Sequence, residues 1–188
     1  MDEAISPTRP SRAARAGPRV LIVDPNRTNQ AVLARRLGEA NYRISAAESG
    51  PSAVAEMHRV QIDLVLAELA MPLMSGIDLV RMIRDDTAMR DMPVILIAGR
   101  SDSGGTIRAL AAGADDVVVK PFHFEVLEAR IARQLTRARS IEELRRDNAN
   151  LDARVVTRAI ELGETRDRLL ASEAERRRLS GLVVKVAD

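Results

Sequence analysis

Five short apolar runs separated by amphipathic stretches constrain this chain more than any other feature of its 188 residues. The runs are Arg19–Asp24 (RVLIVD), a weaker one at Tyr42–Ala46, Asp63–Ala67 (DLVLA), Pro93–Ala98 (PVILIA) and Val117–Val119. Runs of Val, Ile and Leu without polar alternation read as strands covered on both faces, the signature of a parallel sheet. Between them lie helical patterns: Val32, Leu33 and Leu37; Val54, Met57 and His58 after Pro51; Leu79, Val80 and Ile83 after a Ser75 cap; and Ile107, Leu110 and Ala111 before Gly113. Strand and helix in strict alternation predict a doubly wound α/β fold with a five-stranded parallel sheet over residues 19–137. Such folds collect functional groups at the carboxyl ends of their strands. Asp24, Glu68, Ala98 and Lys120 are therefore the residues to watch.

Composition excludes several functions. The chain has no cysteine and two distant histidines, His58 and His123, so thiolate chemistry and a histidine-built metal site are not expected. Aromatic residues make up 2%, too few to stack single-stranded nucleic acid. The pI of about 9.6 reflects arginine: of 29 basic residues only Lys120 and Lys185 are lysines, and acids bring the net charge to +2. Neither nucleic acid nor a membrane surface is an expected partner. No nucleophile–base motif occurs, and Ser103-Gly104-Gly105 lacks the pattern of a phosphate-binding loop, so no enzyme activity is expected. Residues 1–18, with three prolines and no apolar periodicity, read as a disordered tail without the apolar core of a signal peptide; a cytoplasmic location follows.

Residues 138–188 carry a different pattern. Ile141, Asn148, Val155, Leu162, Leu169, Arg176 and Val183 recur every seven residues, with Leu144, Leu151, Arg158, Thr165, Ser172 and Leu179 interleaved. A stripe this narrow buries too little on a lone helix, so the segment is expected to form a homodimeric coiled coil. Its seam comprises Ile141, Leu144, Asn148, Leu151, Val155, Leu162 and Leu169, with Asn148 favouring one register.

Four motifs together resemble the receiver domains of bacterial two-component response regulators: RVLIVDPN, DLVLAELAMPLMSG, PVILIAGR and GADDVVVKPF. The resemblance implies a flavodoxin-like sandwich in which a histidine kinase phosphorylates an aspartate after the third strand. It further implies an acidic pair holding Mg²⁺, a Ser or Thr and a Lys holding the phosphate, and an aromatic switch on the fifth strand. At the matching positions this chain has Glu68 as the phosphoacceptor equivalent, Asp24 followed by Pro25, Ala98 for the hydroxyl, Val117 for the aromatic, and Lys120 retained.

Each departure removes a function. Glutamate moves the carboxylate one methylene outward, and misplacement by about 1 Å can cost a hundredfold in alignment for attack. Proline supplies no metal ligand, which leaves only weak Mg²⁺ binding at Asp24 and Glu68 to expect, and no resident cofactor. Alanine at 98 cannot donate to a phosphoryl oxygen, and valine at 117 cannot toggle. The expectation is a degenerate receiver that signals without phosphorylation, through dimerisation and a protein partner such as a histidine kinase or an output enzyme. Two readings of Glu68 stand side by side: it reaches the Lys120 ammonium and holds the domain in one state, or it is simply an acid tolerated at a partly solvated strand end. The alternatives are a conventional relay still phosphorylated at Glu68 or elsewhere, and an antiterminator-like nucleic-acid regulator.

Overall fold

The computed structural model describes residues 17–100 and 102–186, with the side chains at 103, 156, 175 and 177–186 outside that description. Strands β1 (Arg19–Val23), β2 (Arg43–Ala47), β3 (Leu64–Glu68), β4 (Val94–Ala98) and β5 (Asp116–Val119) alternate with helices α1 (Arg27–Glu39), α2 (Gly50–Arg59), α3 (Gly76–Asp85), α4 (Ser103–Ala111) and α5 (Phe124–Val186). All five strands are parallel, in the order β2-β1-β3-β4-β5, so the strand order reverses beside β1. Most of the expected tail, residues 1–16, lies outside the described residues; Gly17 and Pro18 are tied down, their carbonyls accepting from the side chain and backbone of Arg43.

Successive residues of a strand point to opposite faces, so the apolar runs feed two cores. Val20, Ile22, Leu64, Leu66, Ile95 and Ile97 face α1 and the first turns of α5, meeting Leu33, Leu37, Leu127, Ile131 and Leu135. Leu21, Val23, Val65, Ala67, Val94, Leu96 and Ala98 face the other way, meeting Ala53, Leu79, Val80, Ile83 and Ala109. Of the clustered methionines, Met71, Met74, Met89 and Met92 pack against this second core, while Met82 is exposed.

Two helical faces differ from the sequence reading. On α4 it is Ala109 that is buried, whereas Ile107 and Leu110 are exposed. This short helix meets the core through one small side chain, which leaves the larger neighbours outside. On α1, Leu33 and Leu37 are buried but Val32 is half exposed. The second strand also lies one residue later than the apolar run suggested, because its register with β1 pairs Arg19 with Arg43 and Val23 with Ala47.

Local chemistry sets the boundaries. Ser49 and Ser75 close capping boxes on α2 and α3, and Asn26 caps α1 by accepting from the amides of Thr28 and Asn29. The Ser75 hydroxyl and amide hold the Asp78 carboxyl below the usual range. Gly76 is required by close approach: a Cβ there would lie 2.7 Å from the Glu68 carbonyl oxygen. At the other end of α3 the Arg84 guanidinium donates to the carbonyls of Arg90, Met92 and Gly113 and pairs with Asp115 at 2.7 Å, joining the α3–β4 and α4–β5 loops.

The residues up to Arg139 and those from Ser140 onward form two separate compact units, although α5 contributes to both. No helix among the described residues is long and apolar enough to cross a membrane.

Candidate functional site

The carboxyl ends of β1, β3, β4 and β5 converge on four of the residues singled out from the sequence. Asp24 is the first residue past β1, Glu68 and Ala98 are the last residues of β3 and β4, and Lys120 follows β5. Lys120 Nζ donates to Glu68 Oε2 at 2.5 Å, joining residues 52 positions apart. The pair is partly buried, with 14% of the Glu68 side chain and 36% of the Lys120 side chain exposed. The backbone steers the lysine: its amide donates to the Ala98 carbonyl at 2.8 Å, and a cis peptide bond to Pro121 follows.

Asp24 is almost inaccessible, at 3% exposure. Its Oδ1 accepts the Asn26 amide at 2.7 Å, and its Oδ2 has no hydrogen-bond partner in the protein. Gln30, whose role the sequence did not disclose, donates to the carbonyls of Asp24 and Ala47 and clamps the ends of β1 and β2 together. Pro25, between Asp24 and the helix cap, is exposed and brings no oxygen-bearing side chain. Ala98 is fully buried and fills the space on its face with a methyl group. Val117 stands apart from the others, on the face of β5 that packs against the second core.

Of the oxygen ligands that a near-octahedral Mg²⁺ demands, the side chains singled out here offer the carboxylates of Asp24 and Glu68, the second of them engaged by Lys120. Glu68 pairs with Lys120, and no group of three or more His, Asp or Glu side chains suited to a metal occurs among the described residues. Chemically, the rim offers a formed carboxylate–ammonium pair, one buried carboxylate oxygen left over, and no side-chain hydroxyl at position 98.

A five-stranded parallel sandwich of this order, with its polar residues at the strand ends, is a flavodoxin-like doubly wound fold. A sequence profile of the response regulator receiver domain matches residues 20–132, and the chain belongs to that family, the receivers of two-component systems. Response regulator PleD of Caulobacter vibrioides is 37% identical over 133 residues, 70% of this chain and 29% of PleD. A probable cyclic di-GMP phosphodiesterase of Vibrio cholerae is 35% identical over 161 residues, 84% of this chain and 36% of that protein. The chain thus spans well under half the length of these two relatives. Among solved structures, the signal receiver domain of a histidine kinase from Syntrophus aciditrophicus superposes with a TM-score of 0.61 at 32% identity, covering 64% of this chain and 91% of that one. A putative response regulator from Chloroflexus aurantiacus gives 0.62 at 26% identity, covering 64% and 98%.

Proposed function

We propose that this chain is a phosphorylation-independent receiver, a non-enzymatic signalling module that works in the cytoplasm through self-association and a protein partner. The single observation that carries the reading is the Glu68–Lys120 ion pair. An ammonium that would otherwise contact a phosphoryl oxygen already holds a carboxylate supplied by the chain itself. Around it, proline at 25 removes a metal ligand, alanine at 98 removes a hydroxyl donor, and valine at 117 removes the aromatic toggle. With both the capture of a phosphoryl group and the response to it compromised at separate positions, Glu68 acts as a fixed anion and the domain rests in one state.

The remainder of α5 supplies the output in this reading. Ile141, Leu144, Leu151, Val155, Leu162 and Leu169 are exposed on the chain taken alone, and an apolar stripe of this spacing gains stability when a second helix covers it. A second copy covers it, with Asn148 fixing a parallel two-stranded register. The side chains of Leu179 and Val183, which would extend the seam, lie outside the described residues. The partner is a histidine kinase or an output enzyme; PleD and the phosphodiesterase carry comparable receivers as a minor part of larger proteins.

Incubation with a small-molecule phosphodonor and Mg²⁺, followed by intact-mass measurement, tests the site. The expected result is no added mass; a stoichiometric phosphoryl adduct on Glu68 overturns the reading. Light scattering at several concentrations tests the output: the expected mass is that of two chains, falling to one when Leu144 and Leu151 are both replaced by arginine.

A further inference from the structure

At the amino ends of β3 and β4, opposite the rim that carries Glu68, a cavity of about 320 Å³ opens between the end of α2 and the loop that joins α3 to β4. Its lining brings together Met57 and His58, from the last turn of α2, with Met89 and Met92 from that loop. These are three of the seven methionines of the chain and one of its two histidines. Ile62 and Asp86 stand in the same wall.

Packing accounts for part of this arrangement. The three methionines are half-buried and touch the second core, whereas His58 is exposed. Leucine would fill such a wall equally well. What methionine adds is a polarizable sulfur on a side chain with three rotatable bonds, able to turn toward a guest while the backbone stays in place. Among the described residues, none of the three thioether sulfurs and neither nitrogen of His58 takes part in a hydrogen bond or ion pair. Four donor atoms with unspent lone pairs thus belong to side chains that line one cavity, although β3 and α3 separate their two segments in the chain. Met57 and His58 project about 100° apart on their helix, so one reaches the cavity from the core side and the other from the solvent side.

This donor set selects its ion. Mg²⁺ and Ca²⁺ demand oxygen ligands, and the one carboxylate of the lining, Asp86, already accepts the Ala88 amide at 2.7 Å. Zn²⁺ takes thiolate, imidazole and carboxylate ligands, and a single imidazole is too few. Thioether sulfur favours Cu(I), whose filled d shell imposes no fixed ligand angles. We propose that the cavity binds one soft monovalent ion, Cu(I), through the thioethers of Met57, Met89 and Met92 and the imidazole of His58. The bound ion ties the end of α2 to the loop before β4 and stabilises the domain by mass action. The site lies at the other end of the sheet from Glu68 and does not depend on how Glu68 is read.

Anaerobic titration of the full chain with Cu(I), in competition with a chromophoric Cu(I) chelator, tests this, with Ag⁺ as a redox-inert probe of the same donors. One equivalent of each ion is expected to bind and to raise the melting temperature. In carbon–proton NMR spectra the methyl signals of Met57, Met89 and Met92 should shift with Ag⁺, while that of the exposed Met82 stays in place. Replacing Met89 and Met92 together by leucine keeps the apolar volume and should weaken Ag⁺ binding by about tenfold or more, as should His58→Ala; Met82→Leu should leave it unchanged. No uptake of either ion at micromolar concentration, shifts confined to Met71, Met74 or Met82, or full-strength binding by the chain carrying Met89→Leu and Met92→Leu overturns the proposal.

Discussion

The two parts of α5 show how one helix can obey two different rules. Up to Arg139 its apolar residues Leu127, Ile131 and Leu135 recur every four positions and are buried against the sheet, and even Gln134 is buried, donating to the Asp115 carbonyl. From Ser140 on, the apolar residues follow a seven-residue repeat and remain between 38% and 70% exposed on the chain taken alone. The first part is stabilised by its own domain. The second part has an apolar stripe of similar chemistry whose described side chains stay uncovered on the chain taken alone. Hydrophobicity therefore fixes which side chains want cover, while the spacing fixes what kind of surface can provide it.

Substitution can sharpen this contrast. The largest expected effect is Ile131→Ala, which leaves a cavity in a closed core and should lower domain stability by about 2–5 kcal/mol in denaturant unfolding. Leu151→Ala should leave that unfolding transition unchanged and weaken self-association measured by sedimentation. Equal losses of domain stability would erase the distinction. A smaller effect of opposite sign is expected for Asn148→Val: removing a polar group from the seam should tighten association by about 1–3 kcal/mol and allow more than one register, visible as mixed crosslinking of cysteines placed at the helix ends.

The smallest effect belongs to the loop after β3. Leu73 is 95% exposed and has φ of 68°, a left-handed conformation that costs a residue with a Cβ about 1–2 kcal/mol. Leu73→Gly removes that cost, and the greater freedom of glycine in the unfolded chain offsets part of it. A net gain of up to about 1 kcal/mol in unfolding free energy is expected; a loss would mean that the leucine side chain makes a contact worth more than the strain.

The fold was legible because each strand is a short apolar run with a helix pattern after it, a local signal that survives without knowledge of neighbours. Ser75, Pro51 and Gly113 also signal locally, and Gly113 indeed adopts φ of 101° at the end of α4. The exposure of Ile107 and Leu110 was not legible, since periodicity marks a face without saying how much of it the domain covers. Gln30 and Asn26 were missed for a related reason. Each is an ordinary residue made informative by where a distant segment lands, although Asn26 just before a helix carried a capping signal.

By itself the sequence determined the order and type of elements and the residues that stand at the strand ends, because residue chemistry and local spacing suffice for these. Only the tertiary structure decided that Lys120 engages Glu68, that one oxygen of Asp24 is left without a partner, and that Met57 and His58 share a cavity with Met89 and Met92. These depend on distances between segments far apart in the chain, and such distances exist only once the sheet has set its strand order and the helices have packed on its two faces.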